Sequence, residues 1–285
     1  MKIALIGSSG LLGSALKKAL YAADIQALCL THCDFDLLDP DDFKIFLDFN
    51  PDIVINTAAY LGVEPCEVYY SEAFALNVKA VENLANFCQK NAICLVYIST
   101  DGVFDGYRGG YHEKSTPNPL NLYGLTKYGG ELMTQNLCEQ HYIFRIPILF
   151  GTRENKGNIF IEKMFALYTS GKKELKIADD VINKPSYADD IAQQMVKILI
   201  SALPHGIYHL FNGGEDASLY DFACEFFAQK RVNDICIMRA KASDFADSEQ
   251  GKKPLNTTLT SIKVEALRDW RIAMKDYCNK EVYER

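Results

Sequence analysis

Three glycines that follow the first apolar run place the strongest constraint on how this chain folds. Residues 2–6 have the composition of a short buried strand, the sequence Gly7-Ser-Ser-Gly10-Leu-Leu-Gly13 comes next, and an amphipathic stretch continues to about residue 23. In such a strand–turn–helix unit the first glycine permits a tight turn, the second lets backbone approach a pyrophosphate, and the third lets the helix pack on the strand. The helix N-terminus then offers unpaired N–H groups to phosphate oxygens. The pattern predicts a dinucleotide site, the alternative being a glycine turn without a ligand.

Strand-like and helix-like segments alternate through the rest of the first half. Apolar runs at residues 26–30, 52–56, 92–98 and 142–146 lack polar alternation, which is typical of parallel strands covered on both faces. Helices are expected to begin near Asp36 and Tyr123 and to span residues 66–90. This alternation predicts an α/β fold built on a Rossmann-type doubly wound parallel sheet.

Beyond Pro147 the alternation loosens. The patterns there favour helices at residues 159–170, 187–200 and 219–230 and after residue 259, with strands at 206–210 and 235–239. We therefore expect residues 1–150, together with about 186–212, to form an NAD(P)-binding domain. Residues of about 151–185 and 213–285 are expected to form a smaller C-terminal α/β substrate lobe.

Charge and apolar content restrict the partners of the chain. Its 285 residues carry a formal net charge of −7 and no block of Lys or Arg, which argues against a nucleic-acid or anionic-membrane surface. No apolar run has the length of a membrane span, and the N-terminus enters a strand rather than a signal peptide, so we expect a cytoplasmic protein. The nine cysteines include no C-x-x-C pair, so buried reduced thiols are favoured over a metal site at His32 and Cys33.

A phenol and an ammonium share one face of a predicted helix at Tyr123 and Lys127, which are four residues apart. A free tyrosine has a pKa of about 10 and works poorly as an acid near neutrality. A neighbouring cation is expected to lower the pKa of Tyr123 and make it a tuned proton donor. Alone the spacing is weak evidence, since helix surfaces carry many such pairs.

The fourth predicted strand ends in Ser99-Thr100-Asp101. Ligands of doubly wound sheets bind at the carboxyl ends of the strands, so a hydroxyl here can bind a substrate carbonyl while Tyr123 delivers the proton. The alternative is a turn or helix cap, which the same residue types favour. The second strand ends at Thr31 and His32 without the carboxylate that selects NAD, so NADPH or NADH can be the cofactor and NADPH is favoured.

The glycine turn, Ser99-Thr-Asp101 and the pair Tyr123 and Lys127 follow one another along the chain. In this order they resemble the motifs of the extended short-chain dehydrogenase/reductases. The chain more narrowly resembles the dTDP-4-dehydrorhamnose reductase family, along nearly its whole length, at Ser99-Thr-Asp-Gly-Val-Phe-Asp-Gly106, Asn118-Pro-Leu-Asn-Leu-Tyr-Gly124, Gly206-Ile-Tyr-His209 and Lys253-Pro-Leu-Asn256. The resemblance implies NAD(P)H-dependent reduction of the 4-keto group of a nucleotide-activated deoxysugar, used in surface polysaccharide. It implies no catalytic metal, and because some relatives are dimers, a homodimer is one expected assembly.

The resemblance also implies roles for individual residues. Tyr123 would donate the proton to the sugar C4 oxygen, Lys127 would hold the nicotinamide ribose and lower the tyrosine pKa, and Thr100 would polarise the ketone. Thr100, Asp101 and Tyr123 are the implied substrate contacts. The implied cofactor contacts are Gly7, Gly10, Leu11, Leu12 and Gly13 at the pyrophosphate, Asp36 and Leu37 at the adenine, Ala58, Ala59 and Tyr60 near the phosphates and ribose, and Ser99, Tyr123 and Lys127.

Three positions depart from the family where the sugar is expected to lie. Gly102 stands where the family usually has Tyr, Ile148 where it has Trp, and Ile159 where it has Asn. Losing an indole and a phenol removes stacking area, so a different keto-sugar would fit the same catalytic groups.

Two other functions stay open. One is a non-catalytic partner similar to the regulatory subunit of methionine adenosyltransferase, whose corresponding segment resembles residues 145–151, and the other is a nucleotide-sugar epimerase.

Overall fold

A parallel sheet forms the centre of the computed structural model, which describes residues 1–152, 159–248 and 251–283. The strands are β1 (Lys2–Ile6), β2 (Gln26–Leu30), β3 (Ile53–Asn56), β4 (Cys94–Thr100), β5 (His141–Ile146), β6 (Leu149–Phe150), β7 (Glu174–Ala178), β8 (Ile182–Asn183), β9 (Ser186–Tyr187), β10 (Gly206–His209), β11 (Asn212–Gly213), β12 (Ala217–Ser218), β13 (Cys236–Ala240) and β14 (Leu267–Asp269). The α-helices are α1 (Leu11–Ala22), α2 (Lys44–Phe49), α3 (Val63–Val68), α4 (Tyr70–Phe74), α5 (Ala80–Lys90), α6 (Leu122–Leu137), α7 (Phe160–Thr169), α8 (Ala188–Ile200), α9 (Leu219–Gln229) and α10 (Trp270–Tyr283).

Six of these strands make the central sheet, in the order β2-β1-β3-β4-β5-β10, and all its pairs are parallel. The chain runs outward from β1 to β2 and then returns across β1 to β3, so the strand order reverses between β1 and β3. In doubly wound sheets the ligand crevice lies outside the carboxyl ends of the strands at such a reversal. The sheet confirms the predicted fold class.

Apolar side chains cover both faces of the sheet, as expected for parallel strands. On one face, residues from alternate positions of β1, β3 and β4 pack with α1 and α8. On the other, they pack with α2 and α5. A separate apolar cluster, which includes Trp270 and Phe222, joins β7 to α7, α9 and α10. The small pair β7-β13 is parallel, and the pair β8-β12 is antiparallel.

Three helix predictions were wrong at their boundaries. The helix expected near Asp36 starts as a 3-10 turn at Pro40, because the Asp39 side chain accepts a bond from the Asp41 N–H and caps the chain there. The helix expected over residues 66–90 begins at Val63 and is divided into α3, α4, a π-helical turn over Ala75–Lys79, and α5.

The helix expected after residue 259 begins only at Trp270. Part of the preceding segment bonds to the loop after β4, where the Thr260 N–H donates to the Tyr111 carbonyl oxygen and the Tyr111 N–H donates to the Thr258 carbonyl oxygen. These backbone groups are therefore already paired with another segment and are not available for a helix.

The nine cysteines all lie in the described residues and form no disulfide bond; five of them are buried, while Cys33 and Cys236 are exposed. In the described residues no group of His, Cys, Asp and Glu side chains has the arrangement of a metal site. None of the helices in the described ranges combines the length and the apolar character that crossing a membrane would require.

Candidate active site

The glycine turn leaves the N-terminus of α1 open. Gly7 has a φ of 79°, and the N–H groups of Gly7 and Ser8 donate to the Leu30 carbonyl oxygen, which fixes the turn against the end of β2. Gly10 is the N-cap of α1 and has no side chain to bond the first N–H groups of the helix. These donors and the positive end of the helix dipole fit a dinucleotide pyrophosphate.

Gly13 allows α1 to approach this turn, because a Cβ at position 13 would lie 2.1 Å from the Gly7 carbonyl oxygen. We predict that Gly13→Ala shifts the turn and weakens NADPH binding by at least about tenfold, with a loss of about 1–3 kcal/mol in the free energy of unfolding. Calorimetric titration and urea unfolding measure the two effects. Lys18→Ala, an exposed change on the same helix, is the matched control. Equal NADPH affinity for both variants would contradict the prediction.

A cleft of about 510 Å³ lies at the carboxyl ends of the strands, next to this turn. Most of the residues singled out from the sequence line it, namely Gly10, Leu11, Leu12, Gly13, Ala59, Ser99, Thr100, Asp101, Tyr123 and Lys127. The remaining lining residues include Thr57, Leu61, Gly62, Val63, Ile98, Ile146, Pro147, Leu149, Phe160 and Asn183. Ile148 and Ile159, two of the three departures from the family, line it as well.

Five of the proposed cofactor contacts lie outside the lining of the cleft. Gly7 supports the turn from beneath, and Leu37 is buried in the core beside β2. Asp36 is exposed, with its carboxylate accepting a bond from the Leu38 N–H at 2.9 Å.

The other two, Ala58 and Tyr60, belong to the segment that follows β3. Asn77 holds this segment from the π-helical turn, because its Oδ1 accepts from the Tyr60 N–H at 2.8 Å and its Nδ2 donates to the Tyr60 carbonyl oxygen at 3.0 Å. The same Nδ2 donates to Thr126 on α6. Asn77 therefore ties the loop beside the cleft to the helix that carries Tyr123.

Tyr123 and Lys127 lie one turn apart on α6, whose N-cap Asn121 accepts a bond from the Gly124 N–H. Lys127 is only 4% exposed, its Nζ donates to the Ile98 carbonyl oxygen at 2.6 Å, and the same Nζ lies 4.3 Å from the centre of the Tyr97 ring. Helix α6 therefore places the ammonium directly behind the end of β4.

The expectation that Lys127 lowers the pKa of Tyr123 was wrong for the protein without its ligands. Burial raises the pKa of Tyr123 to about 12, and the Thr100 hydroxyl is the group that opposes this shift. Burial also lowers the pKa of Lys127 to about 7. For both Tyr123 and Lys127, the cost of burying the charged form exceeds the stabilisation that a neighbour one helical turn away provides.

Thr100 and Asp101 form one hydrogen-bonded unit at the end of β4. The Thr100 hydroxyl donates to Asp101 Oδ1 at 3.0 Å and accepts from the Gly102 N–H at 3.0 Å. Asp101 Oδ2 accepts from Asn183 Nδ2 at 2.7 Å and from the Thr257 hydroxyl at 2.5 Å. Burial nevertheless raises the pKa of Asp101. A hydroxyl has one donor hydrogen, so Thr100 must turn away from Asp101 before it can polarise a substrate carbonyl.

The Ser99 hydroxyl is hydrogen-bonded to a buried ion pair and not to another group of the cleft. It donates to Glu131 Oε1 at 2.5 Å, and the Arg145 guanidinium donates to both Glu131 oxygens, at 2.8 Å from Nε and 2.6 Å from Nη2. Arg145 also donates to His209 Nε2 at 3.4 Å. Burial and the Arg145 charge lower the pKa of His209 to about 4. The sequence analysis missed Glu131, although it continues the i, i+4 spacing of Tyr123 and Lys127.

A second cavity, of about 680 Å³, adjoins the cleft and shares Phe160 with it. Apolar side chains such as Met164 and Phe245 line it, together with lysines from α7, β7 and the segment before β14. These lysines are Lys163, Lys176, Lys252 and Lys253. Lys252 and Lys253 are adjacent, but Lys163 and Lys176 come from two other segments, so no single charge run marked this site.

Comparison with known proteins finds similar chains over the whole length. A family model described as the RmlD substrate binding domain matches residues 1–282. The chain is 32% identical to a dTDP-4-dehydrorhamnose reductase of Aggregatibacter actinomycetemcomitans, over 96% of this chain and 97% of that protein. It is 31% identical to the methionine adenosyltransferase 2 subunit beta of Danio rerio, over 78% of this chain and 72% of that protein.

Solved structures show the same relationship. A dTDP-4-dehydrorhamnose reductase from Clostridium acetobutylicum superposes with a TM-score of 0.91 at 28% identity and covers 100% of both chains. The dTDP-4-dehydrorhamnose reductase from Bacillus anthracis, solved in complex with NADP, superposes with a TM-score of 0.90 at 26% identity, over 98% of this chain and 99% of that one.

Proposed function

The chain belongs to the RmlD substrate binding domain family, and on that premise we propose that it reduces the 4-keto group of a nucleotide-activated deoxysugar with NAD(P)H. The observation that carries this proposal is that Thr100, Tyr123 and Lys127 line the same cleft as the open N-terminus of α1. A proton donor, a carbonyl ligand and a dinucleotide cradle therefore meet at one place. Relatives named dTDP-4-dehydrorhamnose reductase support the reaction class.

The cradle of α1 fits the dinucleotide, with Gly10, Leu11, Leu12 and Gly13 placed to hold its pyrophosphate and Lys127 its nicotinamide ribose. When bound, the reduced nicotinamide supplies a hydride to the sugar C4. Gly7 supports the cradle from below, and Asp36, Leu37, Ala58, Ala59 and Tyr60 belong to the proposed contacts along the adenosine half. NADPH is the favoured cofactor, in keeping with the NADP complex of the Bacillus anthracis relative.

The side chains of the cleft supply orientation and a proton. Thr100 turns from Asp101 to the keto oxygen, and Tyr123 gives its phenolic proton to the same oxygen as negative charge develops there. The raised pKa of Tyr123 keeps the phenol protonated until that moment. Because an alcohol is a weaker acid than a phenol, the transfer to the nascent alkoxide is favourable.

We infer that the lysine-lined cavity beside Phe160 takes the nucleotide diphosphate of the substrate. Ammonium groups suit phosphate oxygens, and the apolar lining suits a nucleobase. Residues 1–150 with about 186–212 would then hold the dinucleotide, and about 151–185 with 213–285 the nucleotide sugar. The net charge of −7 supports the part of the proposal that excludes nucleic-acid and membrane partners. The proposal also includes a cytoplasmic location and a homodimer as one assembly.

The test begins with calorimetric titration of NADPH and NADH. The fall in reduced-nicotinamide absorbance is then followed with a panel of nucleotide 4-keto-6-deoxysugars. We expect turnover with at least one of them, competitive inhibition by the free nucleoside diphosphate, and no oxidation of NADPH with the corresponding 4-hydroxy sugars. Tight cofactor binding without turnover across the panel would contradict the reductase.

That second result would instead favour a non-catalytic regulatory protein. The observation behind this candidate is the 31% identity to a methionine adenosyltransferase 2 subunit beta. It makes a distinct prediction, namely that the protein with NADPH bound forms a complex with a methionine adenosyltransferase catalytic subunit. Size-exclusion chromatography of the two proteins together measures this.

A further inference from the structure

Helix α6 carries a third polar side chain in line with Tyr123 and Lys127. Glu131 follows Lys127 by one helical turn and lies on the same face, where it is 0% exposed. Its two oxygens accept three hydrogen bonds, one from Ser99 and two from Arg145. A carboxylate held in this bidentate way by a guanidinium has little rotational freedom.

The end of β4 is attached to this helix face at two consecutive residues. Lys127 Nζ donates to the Ile98 carbonyl oxygen, and the next residue, Ser99, donates its hydroxyl to Glu131. The residue after that is Thr100, the proposed ligand of the substrate carbonyl. Glu131 therefore fixes the distance between the strand end that carries Thr100 and the helix that carries the proton donor.

Glu131 is also the anion that acts on the Lys127 amine. Burial lowers the pKa of Lys127, and the Glu131 charge opposes that shift. Cys66, on α3, faces the same amine, but burial raises the pKa of its thiol to about 11, so the thiol is neutral at physiological pH.

Two phenols near Lys127 carry no charge near neutrality. Tyr97 on β4 and Tyr123 on α6 are phenols whose pKa values burial raises. The Arg145 cation on β5 is paired with the Glu131 carboxylate. Among the groups shown to act on Lys127 in the described structure, Glu131 is thus the one anion.

From this geometry we propose that Glu131 is a positioning residue, which holds the Ser99–Thr100 end of β4 against α6 and favours the protonated form of Lys127 that would bind the nicotinamide ribose. The role of Lys127 in this statement rests on the proposed function. Arg145 keeps the carboxylate in place, and the carboxylate acts through Ser99 and Lys127 without touching the substrate.

Glu131→Gln tests the electrostatic part in the protein without cofactor. Competitive acetylation followed by mass spectrometry reports the pKa of each lysine amine and requires no turnover. Removing a negative charge beside an ammonium lowers its pKa, so we expect the pKa of Lys127 to fall below its value of about 7. Glu139→Gln, an exposed change just after α6, is the control and should leave Lys127 unchanged.

The same variants are then compared at two pH values. The fraction of protonated Lys127 in Glu131→Gln should be far lower at pH 8 than at pH 6. If the pKa of Lys127 falls by one unit from about 7, its protonated fraction falls about twofold at pH 6 and about ninefold at pH 8, so NADPH affinity and kcat/KM should fall about fivefold more at pH 8. Ser99→Ala keeps the carboxylate but frees the strand end, so it should lower kcat/KM equally at both pH values and leave the pKa of Lys127 in place.

Two further variants distinguish the effect of the lost charge from an effect of misfolding. Glu131→Asp retains the charge and should keep a Lys127 pKa close to that of the parent protein, whereas the double variant Glu131→Gln with Arg145→Met removes both buried charges and should lower it. An unchanged Lys127 pKa in a folded protein without the carboxylate would overturn the proposal, as would equal losses of NADPH affinity at pH 6 and pH 8. If no sugar of the panel is reduced while the pKa of Lys127 shifts as expected, the reductase proposal fails and the action of Glu131 on Lys127 stands.

Discussion

Tyr123→Phe is expected to reduce kcat for the keto-sugar by about 10³-fold, while NADPH binding stays within about twofold of the parent protein. The change removes one hydroxyl, and with it the proton that the nascent C4 alkoxide must receive. The ring keeps its packing, and no described hydrogen bond of the fold depends on the phenolic oxygen as donor. The loss should therefore appear in the chemical step and not in folding or in cofactor affinity.

Single-turnover absorbance measurements with saturating NADPH separate this step from binding. Tyr128→Phe is the matched control, because this tyrosine lies on the same helix but packs against a different apolar cluster, away from the cleft. We expect it to leave kcat within about twofold of the parent value. Undiminished reduction by Tyr123→Phe would rule out the phenol as the proton donor and leave Thr100 or solvent as the source.

Arg145→Met is expected to cause the largest loss of stability, about 3–5 kcal/mol in the free energy of unfolding. Arg145 and Glu131 are 2% and 0% exposed, and removing the guanidinium leaves a buried carboxylate with only the Ser99 hydroxyl as donor. Burying an unpaired charge is costly because the protein interior cannot replace its hydration. Urea unfolding at pH 7 measures the loss.

Two comparisons identify the cause. Arg145→Met combined with Glu131→Leu removes both charges, so it should be more stable than Arg145→Met alone. Arg271→Met breaks an exposed ion pair with Glu215 and should cost less than about 1 kcal/mol. If the double variant is the less stable of the two Arg145 variants, the loss comes from packing and not from the unpaired charge.

The sequence predicted the sheet well because its strands are specified locally. Continuous apolar runs, a glycine turn and a helix with Tyr123 near its N-terminus are all short-range patterns, and the structure has strands and helices at those places. The division of the 66–90 helix was not predictable in this way, since the π-helical turn accompanies contacts of Asn77 with Tyr60 and Thr126, which are distant in sequence.

The residues of the site also divide into those that short-range patterns specify and those that only the fold brings together. Residues at strand ends and in the glycine turn could be assigned to one cleft from topology alone. Asn183, Thr257 and the four lysines of the second cavity could not, because several separate segments of the looser C-terminal region supply them. The sign of the Tyr123 pKa shift was also missed, since burial is a property of the whole fold and not of the spacing between two residues.

The bonds from Asp101 to Asn183 and Thr257 have a consequence for protein engineering. They join the strand end that carries Thr100 to two segments that lie far along the chain. Exchanging residues 151–185 or 213–285 for those of a relative, in order to change sugar preference, would also replace the donors that satisfy a buried carboxylate. A functional chimaera must therefore keep an amide at position 183 and a hydroxyl at position 257, whatever sugar the new lobe is chosen to bind.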